Sequence, residues 1–211
     1  QYRLRKGDSR AKEKILAEGR EKIKEIENRQ VPVARGYGDN IWDMAEGQRT
    51  KINNLYKDAK RSLWTEFDDQ FVSTIPNNIV VRTKAEDRED YISNPKKGER
   101  FRDSAVATLQ KLRAGWQEKY PDVQIVISDG LNAKAIMDEN HLTPYLENLK
   151  KELRNAGYTV SEKNVVVYGG RVRAGYQAGN ILYRNISTNE PKCIIHIIGE
   201  RPGSGQHNFS A

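Results

Sequence analysis

The sequence predicts an α/β fold, in which a parallel sheet follows a mainly helical N-terminal region. Three short β-branched runs alternate with helical patterns, as in βαβ units, and these runs are 123–128, 164–168 and 193–198. Each run ends in glycine and charged residues, namely Asp129-Gly130, Gly169-Gly170-Arg171 and Gly199-Glu200-Arg201. Ligands bind such sheets beyond the carboxyl ends of the strands, so we expect these loops to form a ligand-facing edge.

The N-terminal region is predicted to contain two helices. Asp8-Ser9 is the expected N-cap of the first helix, and proline and glycine predict a linker at 31–40. The second helix is predicted from Ile41 to Trp64. The first helix carries a narrow apolar stripe, formed by Ile15, Leu16, Ile23 and Ile26. This stripe suits docking onto a larger partner, but an ordinary amphipathic surface helix explains it better.

Further elements are predicted before the first of the three strands. Residues 79–81 form a short apolar run that fits either a strand or a buried turn. The stretch 84–100 is dense in charge and contains Asn94-Pro95, so we expect a loop. A helix is predicted from Phe101 to Trp116, because its apolar side chains share one face.

Helices are also predicted between the three strands. Thr143 is the expected N-cap of a helix with Pro144 at its first position, and Gly157 is the expected left-handed residue that ends it. A further helix is predicted at 173–183. A sheet of three strands is small, so we expect additional strands beyond Ala211.

Composition limits the class of protein. Hydrophobic residues are 36% and charged residues 31% of the 211 residues, which allows a real core under a well-solvated surface. No apolar run approaches the roughly 20 residues that span a bilayer. The first ten residues lack the apolar segment of a secretory signal. The single cysteine, Cys193, cannot form an internal disulfide. We therefore expect a cytoplasmic protein that does not enter a membrane.

The distribution of charge argues against a dedicated nucleic-acid function. The net charge is +7, and residues 1–30 hold ten Lys/Arg and six Asp/Glu, so 10 − 6 = +4 of it lies there. The signs are interleaved, with Glu18 before Lys22 and Glu21 before Lys24, as on a solvated helix face. The chain has no dense basic block and no aromatic series on a strand, so we expect no nucleic-acid partner.

Candidate catalytic and metal-binding groups are few. His196 lies in a strand among isoleucines and fits a hydrogen-bonded core residue better than a ligand, while His141 is expected at the surface. Cys193 begins a buried strand and is predicted to be structural, since a reactive thiol is partly exposed near positive charge. No Cys/His pair has zinc spacing and no Gly-x-Ser-x-Gly is present. The sequence therefore nominates no catalytic residue and no metal ligand.

The glycine-rich loops do not match a nucleotide fingerprint. Neither G-x-G-x-x-G nor G-x-x-x-x-G-K-[ST] follows a predicted strand. Glu200 is the most specific binding candidate, because a carboxylate directly after a buried strand can accept a hydrogen bond from a ligand amide. A local ion pair between Glu200 and Arg201 explains the same residues equally well.

Three segments resemble a known family in their order and spacing. They are PDVQIVISDGLNAKAI at 121–136, VYGGRV at 167–172 and IIGERPG at 197–203. Together they resemble the small subunit of adenosylcobalamin-dependent ethanolamine ammonia-lyase. The resemblance is specific from Tyr120 to Gly203, is weaker at 77–101 and covers little before about residue 75.

The resemblance implies a bacterial carbon–nitrogen lyase made of large and small subunits. The large subunit would be a TIM barrel that converts ethanolamine to acetaldehyde and ammonia by a radical mechanism. The small subunit would cover adenosylcobalamin with a Rossmann-like domain, here 76–211, and use the helical extension 1–75 as a subunit contact. The resemblance also implies a hetero-oligomer in the cytoplasm or in a bacterial microcompartment. Carried over residue by residue, Val172 and Glu200 are the expected cobalamin contacts, on adjacent loops at the carboxyl ends of the second and third of the three predicted strands.

The sequence departs from the family pattern at several places. Residues 94–99 replace the family's Arg-Pro-Asp-x-Gly-Arg, and its Gly-Arg-Ala-Gly is not recognisable at 34–38. The family's cysteine contact would lie beyond Ala211, and Cys193 is not its equivalent, because it precedes Glu200. Asp-x-His-x-x-Gly is absent, so a histidine ligand to cobalt is not expected. The alternative is a stand-alone Rossmann-like ligand-binding or regulatory module that diverged from the lyase.

Overall fold

A computed structural model describes Gly7 and residues 9–31, 46–186, 190–201 and 209–210. The chain divides into two compact units, Gln1–Asn53 and Asn54–Ala211. The division at residue 75 into an extension and a sheet domain stays a prediction. Within the described part, no helix combines the length and apolarity needed to cross a membrane.

The described N-terminal residues are helical, as the sequence predicts. Helix α1 spans Lys12–Asn28 and helix α2 spans Glu46–Trp64. Ala11 occupies the N-cap of α1 without a side-chain hydrogen bond, so the expected cap at Asp8-Ser9 is wrong. The predicted start of α2 at 41–45 lies outside the described residues.

The surface of α1 is stabilised by ion pairs between neighbouring turns. Lys24 contacts Glu21 at 2.9 Å, as predicted, whereas Lys22, which was predicted beside Glu18, contacts Glu25 at 3.0 Å. Along the apolar stripe, Ile15 is buried, whereas Leu16 and Ile26 are exposed. The described surface of this helix thus carries exposed charge pairs, and Ile15 is the buried residue of its apolar stripe.

The sheet has four parallel strands and a short antiparallel fifth strand. The strands are β1 (Asn78–Arg82), β2 (Val123–Ser128), β3 (Asn164–Tyr168), β4 (Cys193–Gly199) and β5 (Phe209–Ser210). Their order is β1-β3-β2-β4-β5. The α/β class with a parallel sheet is thus confirmed. Residues 79–81 form a strand, because Ile79 pairs with Val165 in a parallel ladder.

Short and medium helices connect the strands. They are α3 (Asp69–Thr74), α4 (Arg88–Ser93), α5 (Asp103–Gly115), α6 (Lys134–Met137), α7 (Leu142–Asn155) and α8 (Val172–Tyr183). The loop predicted at 84–100 is wrong in part, because Asp87 caps α4 by accepting a hydrogen bond from the Asp90 N–H. The predicted cap at Thr143 is also wrong, since α7 begins at Leu142, but Gly157 is left-handed as expected.

Both faces of the sheet are covered by helices. Helices α3, α6 and α7 pack on the face that carries Ile125 and Ile127 of β2. Helices α5 and α8 pack on the other face, against Val126. All six residues of β2 are buried, which is why the strand is an almost continuous apolar run. The chain leaves β2 toward one face and β3 toward the other, so the loops at their carboxyl ends diverge.

Candidate functional site

The three loops predicted at the carboxyl edge of the sheet are joined to one another by hydrogen bonds. Asp129 follows β2 directly, and its fully buried carboxylate accepts hydrogen bonds from the Gly169 and Gly170 N–H groups, both at 3.1 Å. On the other side, the Leu131 N–H donates to the Gly199 carbonyl at 3.0 Å. The loop after β2 therefore connects the loops after β3 and β4.

Gly130 is required at this junction for two reasons. Its φ of +58° lies in the left-handed region that disfavours other residues. A Cβ atom at this position would also overlap the carbonyl oxygen of Gly199. The close approach of the β2 and β4 loops thus depends on the absence of a side chain.

The buried side chains of Arg88 and Tyr91 contact the loops that follow β2 and β3. Arg88 Nη1 lies 3.5 Å from Asp129 Oδ2, and Arg88 Nε donates to the Leu63 carbonyl at 2.7 Å. The guanidinium groups of Arg88 and Arg171 each lie 4.6 Å from the centre of the Tyr91 ring. The Tyr91 hydroxyl donates to the Gly170 carbonyl at 3.2 Å.

The charge state of Asp129 follows from these surroundings. Burial raises the pKa of Asp129 to about 6, while Arg88 and the two glycine N–H groups act in the opposite direction. Both oxygens of Asp129 accept an N–H group, which is the pattern of an ionised carboxylate. Burial also raises the pKa of Tyr91, so its hydroxyl keeps the proton that it donates to Gly170.

The two residues predicted to bind a cofactor lie at this edge, but not on loops of neighbouring strands. Val172 is the first residue of α8 and is 57% exposed, and Glu200 follows β4 and is exposed. Since β2 lies between β3 and β4, the ends of these strands are two interstrand spacings apart, about 10 Å. The expected adjacency of the two loops is wrong, because the Asp129-Gly130 loop separates them.

Tyr176 is a surface residue of the same region that sequence reasoning did not select. It lies one turn after Val172 in α8 and is 71% exposed. Residues four apart share a helix face, so Val172 and Tyr176 form an exposed apolar pair. The four-residue spacing of Val172 and Tyr176, at the start of the helix predicted at 173–183, was the signal that could have identified the pair.

The remaining candidate residues have structural surroundings. His196 Nε2 lies 2.7 Å from the Ser128 hydroxyl, and burial lowers the pKa of His196 to about 4, as expected for a neutral core histidine. His141 is at the surface only in part, because it is half-buried with Nε2 2.9 Å from the Ala135 carbonyl oxygen. Cys193 is exposed, contrary to expectation, because it is the first residue of β4 and lies at the end of the strand.

The amino end of the sheet contains a cavity of about 990 Å³, lined by residues that include Leu112, Trp116 and Tyr120. Beside it, Asp122 precedes β2 directly and accepts hydrogen bonds from the Thr159 N–H and hydroxyl, both at 2.7 Å. The Lys192 ammonium group donates to the same carboxylate at 2.8 Å. These bonds lower the pKa of Asp122 to about 2. The cavity lies at the amino end of the sheet, whereas Val172 and Glu200 lie at the carboxyl end.

Metal ligation has no support in the part of the chain that the structure describes. Within it, no three His, Cys, Asp or Glu side chains come together in a way that could hold an ion. The carboxyl edge instead offers exposed apolar side chains, the exposed carboxylate of Glu200 and a backbone whose polar groups are largely bonded internally.

Comparisons with known proteins place the chain in one family. Residues 20–211 match the family model of the ethanolamine ammonia-lyase light chain (EutC). An ethanolamine ammonia-lyase small subunit of Pseudomonas paraeruginosa is 32% identical over 127 residues, which are 60% of this chain and 42% of that protein. The small subunit of Clostridium acetobutylicum is 32% identical over 163 residues, which are 74% of this chain and 61% of that protein.

The match thus spans about two fifths of the Pseudomonas relative's length and about three fifths of the clostridial one's. The family model covers most of the chain and includes the three loops of the carboxyl edge. These comparisons confirm the resemblance that the sequence motifs indicated. The chain belongs to the ethanolamine ammonia-lyase light chain family.

Proposed function

We propose that this chain acts as the small subunit of an adenosylcobalamin-dependent ethanolamine ammonia-lyase. It covers cobalamin at the carboxyl edge of its sheet, while the large TIM-barrel subunit converts ethanolamine to acetaldehyde and ammonia. The observation that carries the proposal is the exposure of Val172 and Glu200 at this edge, in a chain of this family.

The residues at the edge fit the chemistry of a corrin. A corrin is a broad apolar plate with amide side chains on its rim. The exposed pair Val172 and Tyr176 supplies apolar surface for such a plate, and the Glu200 carboxylate can accept a hydrogen bond from a rim amide. A separation of about 10 Å between the ends of β3 and β4 suits a wide, flat ligand better than a small polar one.

The same edge fits a nucleotide phosphate poorly. Phosphates bind parallel sheets through free backbone N–H groups of a glycine-rich loop. Here the N–H groups of Gly169 and Gly170 already donate to the Asp129 carboxylate. This geometry favours the cofactor-covering function over a nucleotide-binding module built on the same loop.

When bound, adenosylcobalamin would supply a cobalt–carbon bond that can break homolytically. Val172 and Tyr176 would pack against the cofactor and exclude water from that surface, and Glu200 would orient it by accepting an amide N–H. No side chain of the carboxyl edge is needed to move a proton or form a covalent intermediate. The radical chemistry would take place in the large subunit.

The partner and cellular location follow from the proposed function. The chain would form a hetero-oligomer with the large subunit, with residues 1–75 as a contact, in the cytoplasm or in a bacterial microcompartment. The interleaved charges of α1 fit a solvated helix better than a nucleic-acid interface, so nucleic acid has no place in the proposal.

A corrin-retention measurement on the complex tests this function. The chain is co-expressed with the large subunit of the same organism and loaded with hydroxocobalamin, and retained corrin is read from the visible spectrum after gel filtration. We expect Glu200→Ala to weaken retention about tenfold, since a hydrogen bond to a charged group contributes roughly 1.5 kcal/mol or more. A chain that stays monomeric, binds a nucleotide and takes up no corrin would contradict the proposal and support the alternative module.

A further inference from the structure

We propose that Asp129 is a positioning residue for the cofactor surface. Its buried carboxylate fixes the Gly169-Gly170 turn, and this turn sets the position of Val172 at the start of α8. The role rests on the cobalamin-covering function proposed above. Asp129 itself would not touch the cofactor, because its side chain is fully buried.

The turn before α8 has nearly every backbone polar group bonded to the protein. The Gly169 and Gly170 N–H groups donate to different oxygens of the Asp129 carboxylate. The Gly169 carbonyl accepts from the Thr83 hydroxyl at 2.8 Å, and the Gly170 carbonyl accepts from Tyr91. Val172 lies two residues after Gly170, so these hydrogen bonds determine its position.

A carboxylate is the side chain that this turn requires. Each of its two oxygens accepts one N–H, and an ionised carboxylate has acceptors only. An asparagine would face one of the two N–H groups with its own NH₂ donor. Burying a charge is costly unless it is paired, and Arg88 at 3.5 Å supplies the opposite charge. The buried charge of Asp129 therefore holds the Gly169-Gly170 turn in its conformation.

Asp122 provides a matched control at the other end of the same strand. It precedes β2 as Asp129 follows it, and its carboxylate also bonds the loop adjoining β3, through Thr159. The two ends of β2 are roughly 20 Å apart, the length of six extended residues. Replacing Asp122 therefore disturbs the same pair of strands without touching the turn before Val172.

The experiment compares Asp129→Asn with Asp122→Asn in the complex with the large subunit. Hydroxocobalamin is titrated by visible absorption, circular dichroism is recorded in the corrin bands, and thermal unfolding is followed separately. We expect Asp129→Asn to raise the corrin Kd about tenfold, the effect of losing one charge-assisted hydrogen bond, and to change the corrin dichroism. Asp122→Asn should lower the melting temperature while Kd and dichroism stay at wild-type values.

Thr83→Val covers the case in which Asp129→Asn does not assemble. This isosteric change removes the hydroxyl that donates to the Gly169 carbonyl and leaves the buried charges in place. We expect it to raise the corrin Kd about threefold, in line with the loss of one neutral hydrogen bond. Wild-type Kd and dichroism in the variant, or an equal loss in Asp122→Asn, would overturn the role of the turn.

The outcomes separate this inference from the function on which it rests. A wild-type complex that takes up no corrin contradicts the proposed function itself. A wild-type complex that binds corrin, together with an Asp129→Asn complex of unchanged Kd and dichroism, contradicts only the positioning role.

Discussion

A carboxylate at each end of strand β2 fixes a loop adjoining β3, but the pKa values of the two carboxylates are shifted in opposite directions. Asp122 at the amino end is 22% exposed, is bonded by Thr159 and Lys192, and has a pKa lowered to about 2. Asp129 at the carboxyl end is fully buried and has a pKa raised to about 6. Each carboxylate fixes a loop adjoining β3, but only the carboxyl end presents Val172 and Glu200.

The cavity and the proposed cofactor surface lie at opposite ends of the sheet. The amino end has the cavity of about 990 Å³, within the usual range for small-ligand pockets. The proposed cofactor is broad and would lie between two proteins, so it needs an exposed apolar surface whose backbone is held in place by buried hydrogen bonds. The carboxyl end provides such a surface, because Val172 and Tyr176 are exposed there.

The largest difference between the two ends is expected from glycine substitutions. Gly130→Ala places a Cβ against the Gly199 carbonyl in a left-handed conformation, so we expect a loss of about 3 kcal/mol in unfolding free energy. Gly157→Ala, before the amino end of β3, is also left-handed but has no atom within 4 Å of the new Cβ. We expect a loss of about 1 kcal/mol there.

Urea unfolding followed by far-ultraviolet circular dichroism measures both changes. Equal losses in Gly130→Ala and Gly157→Ala would show that the contact between the β2 and β4 loops adds nothing beyond backbone strain.

The sequence predicted the strands well and their order poorly. β2, β3 and β4 were identifiable because short β-branched runs between helical patterns are typical of strands buried on both faces. Local patterns do not determine that β3 returns to lie between β1 and β2. For this reason the loops of Val172 and Glu200 were expected side by side, although the loop of β2 separates them.

The supporting residues of the site were harder to predict than its exposed ones. Arg88 lies in a stretch so rich in charge that it indicated a solvated loop, yet its side chain is buried beside Asp129. The signal for Asp129 was its place directly after a buried strand, but its partners are about forty residues away in sequence. Such long-range pairing becomes visible only in the folded chain.

A smaller effect is expected from pH, and it should differ in sign between the two carboxylates. The folded pKa of Asp129 is about 6 and its ordinary value is 3.8, so its contribution to stability increases as pH falls from about 6 toward 4. The folded pKa of Asp122 is about 2, so its contribution is present above pH 4 and is lost as pH falls through 2.

Urea unfolding at pH 7 and pH 5 tests this difference with Asp129→Asn and Asp122→Asn. His196, with a folded pKa of about 4, loses stability over the same window, so only differences from wild type are informative. Removing Asp129 should make the chain lose about 1 kcal/mol more than wild type between pH 7 and pH 5. Asp122→Asn should show the wild-type change in unfolding free energy between pH 7 and pH 5. The same change in both variants would contradict the predicted difference between the two carboxylates.

The smallest effect is expected at the protein surface. Tyr176→Ala should raise the corrin Kd of the complex about threefold, because the side chain would contribute part of the apolar surface beside Val172. It should change the unfolding free energy by less than about 0.5 kcal/mol, since the side chain is 71% exposed. Tyr158→Ala, 53% exposed before the amino end of β3, is the control and should change neither quantity. An equal rise in Kd for both variants would remove the apolar pair from the proposed surface.

The exposed position of Cys193 gives this chain a practical advantage for spectroscopy. Cys193 is the single cysteine among the 211 residues, so in a protein made of these residues one thiol-reactive fluorophore labels one known position. It begins β4, and Gly199 at the end of that strand is roughly 20 Å away. A corrin bound near Glu200 would absorb light emitted from the label, so resonance energy transfer can report where the cofactor lies. The distance can be followed during assembly without introducing or removing any cysteine.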